Sequence, residues 1–350
     1  MTDTDALVIG AGPVGLFQVF QLGLLEMKCH LIDALPAPGG QCIELYPDKP
    51  IYDIPGTPRT TGRELTASLL QQIKPFNAPL HLGQTVCQIE TLPDGRFQVT
   101  TSKGQQFTTT VIIIAAGVGA FQPKSLKVAG LEKFENSQLF YHSLPPAGVA
   151  NQQVIVVGGD DAALSCAIDL ATTGQAKSIT LLHRRDVYQA APDLVTKIRA
   201  LQTAKALQLT VGQVTGFNEH AGKLAAVQIT GVDGQTHAVQ AENLLVYLGL
   251  SPKLGPVADW GLAMDRKQVA VDTEKFATSV PSIFAVGDIN SYPGKKKLIL
   301  SGFHECALAA FGAANIVFPG KNPQLEYTTS STRLHRLLGV VAHGTGVQHT

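Results

Sequence analysis

At 350 residues, with 45% hydrophobic content and 34 glycines, the chain has the size for two domains that each bury a core and the turn residues of an α/β protein. Lysine plus arginine and aspartate plus glutamate balance at 27 each, which excludes a global field drawing it to nucleic acid or an anionic membrane. The longest apolar run, VIIIAAGVGAF, is too short to span a bilayer, and MTDTDALVIG lacks the basic region of a signal peptide, so cytoplasm is the expected compartment. Five cysteines form no CxxC pair and indicate neither a disulfide framework nor a zinc ribbon.

The first element is an apolar strand, DALVIG, followed at once by Gly10, Gly12 and Gly15 in GxGxxG spacing. Gly10 permits a tight strand-to-helix turn, Gly12 lets a pyrophosphate reach the backbone, and Gly15 lets the helix pack closely on the strand. PVGLFQVFQLGLLEM reads as that helix and KCHLIDA as a second strand ending at Asp33, a carboxylate placed for a ribose hydroxyl. The stretch from Ala34 to Gly56 is rich in Pro and Gly and reads as a long functional loop rather than a regular element. Within it Gly39 and Gly40 let backbone approach a ligand, Gln41 offers an amide, and Tyr46 and Tyr52 offer aromatic faces; a half-buried core tyrosine is the alternative for Tyr46. A helical pattern from Arg63 to Phe76 precedes strands with turns at Pro93-Asp94-Gly95 and Lys103-Gly104, closed by a buried strand from Val111 to Ala116.

The second half repeats this order: strand QVIVVGG, helix Asp161 to Gly174, strand SITLLHRR, short strands, then the apolar strand NLLVYLG. Two copies mean two dinucleotide-binding units. FATSVPSIFAVGDI carries a strand ending at Gly287-Asp288, and with the helix GFHECALAAFGAANIVF it is expected to return to the first unit. The polar tail from Asn322 is expected to pack loosely or at a subunit contact.

The blocks VIGAGPVG, PGGQ, VIIIAAG, VVGGDDAA, LLHRRD and SIFAVGD together resemble the flavoprotein disulfide reductase superfamily, closest in size and order to its thioredoxin reductase branch. Both redox cysteine pairs of that superfamily are missing: ENSQLFYHSLPPAG has no cysteine, and the position five residues after Cys42 is Pro47. Through PGGQCIELYPDKPIYDIPG, AAGVGAFQPK, LGLSPKLGP, VGDINSYPGKKKLI and the tail EYTTSST, the whole chain is similar to the thioredoxin-reductase-like ferredoxin–NADP(+) oxidoreductases. The resemblance implies two Rossmann-like domains, an FAD-binding domain of 1–118 and 249–320 and an NADP(H)-binding domain of 119–248, with a tail, 321–350, near the flavin and a dimer contact. It implies that Asp33 holds the adenosine ribose of FAD, that Gln41 and Tyr46 lie at the isoalloxazine, and that Val86 lines the adenine pocket. Phe121 then contacts the flavin side of the hinge, Asp288 bonds a ribityl hydroxyl, and Thr329 and Tyr327 approach the flavin from the partner subunit of a homodimer. The start of a helix near Ser301 would turn its positive end to the flavin pyrimidine.

The second motif departs from the family's GGGDSA: after Gly158 and Gly159 comes Asp160. A carboxylate about 5 Å from a phosphate costs roughly 3 kcal/mol at an effective dielectric of about 20, about a hundredfold in affinity. Gln189 also stands where the family has an arginine, whereas Arg184 and Arg185 still suit a 2′-phosphate, their alternative being solvated surface. The implied activity is hydride transfer from NADPH to FAD, then single electrons to ferredoxin, with flavodoxin or a quinone as other acceptors. Lys295-Lys296-Lys297, Arg333 and Arg336 offer a docking patch for an acidic ferredoxin, or simply a solvated loop. The rival is an FAD-binding regulator with impaired NADPH binding.

Overall fold

The computed structural model describes residues 1–141, 144–145, 148–321 and 326–340, apart from the side chains at 120–122, 250 and 252. It divides into two compact units, one of residues 1–120 and 252–350, the other of 121–251.

The first unit opens with strand β1 (Thr2–Ile9), helix α1 (Pro13–Leu24) and strand β2 (Cys29–Ile32). Gly12 caps α1 with Pro13 at its first position, where the missing N–H costs nothing. The segment after Asp33 is not wholly irregular as the sequence suggested: α2 (Gln41–Leu45) forms one short helix, and Pro50–Ile51 pairs with Thr60–Thr61. Five residues are too few for a periodic signal, and Gly39 and Gly40 set α2's entry with positive φ. Helix α3 (Gly62–Ile73) starts in a capping box, Thr61 with Glu64. Strands β3 (Leu80–His81), β4 (Val86–Thr91), β5 (Phe97–Thr101) and β6 (Gln106–Ile114) follow, the last three as an antiparallel meander.

The second unit contains β7 (Leu139–Tyr141), β8 (Gln153–Gly158), α4 (Asp161–Thr173), β9 (Ser178–His183), α5 (Pro192–Thr203) and β10 (Gln208–Val211). An antiparallel sheet of β11 (Gln213–His220), β12 (Lys223–Thr230) and β13 (Thr236–Gln240) comes next, then β14 (Asn243–Tyr247). Its parallel sheet runs β7-β14-β8-β9-β10.

The chain then returns to the first unit with β15 (Ile283–Ala285), which pairs with β6 through Ile283↔Ile112 and Ala285↔Ile114. The first parallel sheet is therefore β3-β2-β1-β6-β15, matching the second strand for strand. Both faces are covered, so β1 and β6 read as continuous apolar runs. Ala6, Val8, Val111 and Ile113 face α1 and the last long helix, whereas Leu7, Ile9, Ile112 and Ile114 pack with Val86, Phe97 and Phe107.

That helix, α6 (Ile299–Val317), is long and apolar enough by composition to cross a membrane. Here it is a core helix: Cys306, Ala309, Ala310 and Ala313 are fully buried in the first unit's cluster. The tail is not merely loose, because α7 (Thr332–Leu337) buries Leu334 and Arg333 donates to the Gly23 carbonyl at the end of α1.

Candidate functional site

Ile9, Ile114 and Ala285 end in register, so the turns after β1, β6 and β15 gather at the carboxyl edge of the first sheet, where open α/β folds bind ligands. Gly10, at φ +112, would drive a Cβ to 2.4 Å from the Ala115 carbonyl oxygen, and a Cβ on Gly15 would meet the Gly10 oxygen at 1.8 Å. Only glycine fits either place. Gly12 has a different role: its Cβ direction is open except for the Gly40 Cα at 4.0 Å, while Gly40's own Cβ would lie 3.0 Å from the Gly12 Cα. Two bare backbones thus face one another where α1 and α2 begin, and neither helix start is capped by a side chain. Free first-turn N–H groups in a cradle that side chains would fill suit a pyrophosphate.

Asp33 follows β2 and is half-buried. Its carboxylate accepts from Ala11 N at 2.5 Å and from Leu35 N at 2.7 Å, which ties the glycine turn to the strand end. Burial pushes this carboxyl above the ordinary range against the lowering effect of those two bonds. A carboxylate with two bonds still has acceptor sites for a hydroxyl. Gln41 Nε2 lies 3.4 Å from Asp288 Oδ2, bringing the start of α2 to the turn after β15. Tyr46 is half-buried with its hydroxyl 3.5 Å from Cys42 Sγ, and burial raises the pKa of both groups. Cys42 therefore stays a thiol, and all five cysteines are free.

Val86 is 3% exposed and lies in the apolar cluster beneath the sheet. Tyr327 and Thr329 are exposed, and neither side chain makes a hydrogen bond or ring contact among the described residues. The Phe121 side chain lies outside the described residues. Helix α6 begins at Ile299, two residues before Ser301.

In the second unit Gly158 takes the part of Gly10: a Cβ there would sit 2.4 Å from the Tyr247 carbonyl oxygen. Gly159 lies under the His183 ring, whose Cε1 would be 2.5 Å from an added Cβ. Asp160 occupies the place of Gly12 and has the same extended backbone at the helix N-cap. Its half-buried side chain accepts from Ala163 N at 3.0 Å, closing one of the N–H groups that Gly12 leaves free. Asp161 accepts from Ala191 N at 2.7 Å, and Gln189 N donates to Gly159 O at 2.8 Å, so Gln189 does stand beside the glycine turn. Arg184 and Arg185 are exposed just after β9; the residue in register with Asp33 is His183, since Ile9 pairs with Ile32 and Val157 with Leu182, and the two arginines follow it. Two of the proposed docking cations are already engaged: Lys295 is buried against Glu305, and Arg333 binds Gly23 O. Sequence reasoning missed Glu305, although one carboxylate on the buried face of an apolar helix was the available signal.

The model of the pyridine nucleotide-disulphide oxidoreductase family matches residues 4–307. The ferredoxin–NADP reductase of a Polaromonas species is 60% identical over 97% of this chain and 93% of its own length. That of Albidiferax ferrireducens is 61% identical over 97% of this chain and 96% of its own. Among solved structures, a thioredoxin reductase from Lactococcus lactis aligns with a TM-score of 0.56 at 25% identity, covering 90% of this chain and 99% of that one. The chain therefore belongs to the pyridine nucleotide-disulphide oxidoreductase family, in the group of its relatives that carry the name ferredoxin–NADP reductase.

Proposed function

We propose that this protein is a ferredoxin–NADP reductase that holds FAD in the first unit and takes NADPH on the second. The observation that carries the reading is the pair of matched glycine turns, each at the carboxyl edge of its own parallel sheet, in a chain whose cysteines are all free. Relatives about 60% identical over nearly the whole chain bear that name. FAD, when bound, accepts hydride from NADPH and passes electrons singly to an external carrier.

The residues of this chain bind and orient. Gly12 and Gly40 cradle the pyrophosphate, Asp33 receives the ribose, Asp288 and Gln41 address the ribityl chain and ring, and Tyr46 offers a stacking face. On the second unit Gly158 shapes the turn, while Arg184 and Arg185 select a 2′-phosphate. A homodimer in the cytoplasm, with Tyr327 and Thr329 serving the partner's flavin, is part of the same reading; their exposure here supports it. Lys296 and Lys297, both exposed, remain for an acidic ferredoxin.

Asp160 favours one second reading, a flavoprotein whose NADPH binding is weak. Anaerobic stopped-flow absorbance with NADPH, NADH and then ferredoxin decides between them. Bleaching of the flavin band by NADPH and its return with ferredoxin are expected; a flavin that dithionite reduces and NADPH does not would overturn the reductase.

A further inference from the structure

Glu305 is fully buried in the second turn of α6, at the start of an alanine-rich buried face. It is nevertheless saturated with donors. Its Oε2 accepts from Gly287 N at 2.6 Å and from Asn290 Nδ2 at 2.8 Å; its Oε1 accepts from Tyr292 OH at 3.0 Å and from Lys295 Nζ. Lys295, its side chain only 7% exposed, donates a second bond to Gly287 O at 2.9 Å. Both backbone groups of Gly287 are thus held by the two ends of one buried ion pair. Gly287 has φ +78 and immediately precedes Asp288. Gln268 Nε2 fixes the far side of the turn through the carbonyls of Asp288, at 3.2 Å, and Asn290, at 2.5 Å. A Cβ on Gly302, one turn before Glu305, would come within 3.4 Å of the Gly287 Cα, so α6 approaches the turn at backbone contact.

Such a pair is a poor way to gain stability, because desolvating two charges offsets most of their attraction. Apolar residues would fill the space as well. What the pair does supply is direction: a neutral unit that fixes the turn from both sides and adds no net charge beside Asp288. We propose that Glu305 and Lys295 are positioning residues for the flavin, acting through Gly287 to aim the Asp288 carboxylate at the ribityl chain. This rests on the FAD reading of the first unit.

The test is FAD titration of the apoprotein, by quenching of flavin fluorescence well below the melting temperature, with wild type, Glu305→Gln, Lys295→Met, Tyr292→Phe and Asp288→Ala. Glu305→Gln turns one acceptor into a donor facing a donor, and it is expected to weaken FAD at least tenfold. Lys295→Met is expected to do the same, with most of the affinity regained in Lys295→Arg. Tyr292→Phe keeps both charges and removes one bond, for a two- to fivefold loss; it serves where the buried-charge variants fail to fold. Placed in the Asp288→Ala background, Tyr292→Phe or Glu305→Gln is expected to change affinity less than twofold, because its effect passes through that carboxylate. A merely structural role would lower the melting temperatures of apo and FAD-loaded protein alike and leave FAD affinity at the wild-type value. That result in any folded variant, or additive losses with Asp288→Ala, overturns the proposal. Failure of the wild type itself to bind FAD overturns the functional reading instead.

Discussion

Asp160 Oδ1 accepts the amide of Ala163 at 3.0 Å, so the second glycine turn carries a built-in anion at the helix start that the first turn leaves open. A carboxylate at this point satisfies an N–H and complements the helix dipole. It therefore takes over two of the services a bound pyrophosphate would perform. In Asp160→Gly the helix keeps a tolerated cap residue, and the expected stability change is only a few tenths of a kcal/mol. NADPH affinity is expected to rise about tenfold to a hundredfold, equivalent to roughly 1.4–2.7 kcal/mol. Isothermal titration checks it; unchanged affinity in a folded variant means that the nucleotide lies elsewhere.

The three consecutive lysines separate by burial. Lys295 serves the interior, while Lys296 and Lys297 are exposed beside Leu298 and Leu300, themselves 44% and 47% exposed. Exposed charges on an interface act mainly on association rate and its salt dependence. Lys296→Glu with Lys297→Glu is expected to slow ferredoxin reduction by about an order of magnitude at low salt, with the difference shrinking as salt screens it. Reduction of ferricyanide by NADPH is expected to stay at the wild-type rate. Equal loss with both acceptors would remove these lysines from the docking surface.

How far the sequence could be read follows from these cases. Gly10, Gly15 and Gly158 were legible because each sits where any Cβ would overlap backbone, and that constraint leaves a fixed spacing. The central strands were legible because strands buried on both faces are apolar throughout. Three outcomes depend on contacts that no local pattern records. Lys295 looks like its two neighbours until Glu305 is seen ten residues on, and Asp160 has the same composition whether it caps or points outward. The anchor of Arg333 is a carbonyl 310 residues away.

His30 and His81 stand side by side on β2 and β3, Nδ1 to Nε2 at 2.8 Å with the rings within 11° of parallel and Phe107 edge-on to both. One ring donates and the other accepts, an arrangement that a second proton destroys. Burial lowers both pKa values, with the neighbouring ring adding to the shift at His30. A histidine with a lowered folded pKa binds fewer protons folded than unfolded. Stability is then complete above the ordinary histidine pKa, about 6.5, and falls as pH drops from there toward the folded value. The melting temperature of the apoprotein is expected to decline less between about pH 7 and pH 5 in His81→Gln than in wild type. Parallel melting curves would show that the pair titrates alike in both states.

Arg333 docks α7 on the end of α1. Arg333 donates from both terminal nitrogens to Gly23 O at 3.0 Å, and its Nε lies 3.6 Å from Glu26 Oε1. A cation at the last carbonyls of α1 satisfies orphan acceptors and complements the helix dipole. Beside it Leu334 is 5% exposed, so a charged contact and an apolar one act together to dock α7. Charge-assisted bonds of this kind contribute about 1.5–3 kcal/mol when buried; with 35% of the Arg333 side chain exposed, solvent screening brings the expected loss in Arg333→Met to about 1 kcal/mol. That corresponds to a fall of roughly 2–4 °C in melting temperature. Because α7 is the only attachment of the described tail beyond residue 326 that uses a side-chain bond to α1, release of the helix should precede global unfolding. Limited proteolysis is expected to cut Arg333→Met within the tail several times faster than wild type while the rest of the chain stays intact. Equal cutting rates would show that Leu334 alone keeps the tail in place, and Leu334→Ala would then release it.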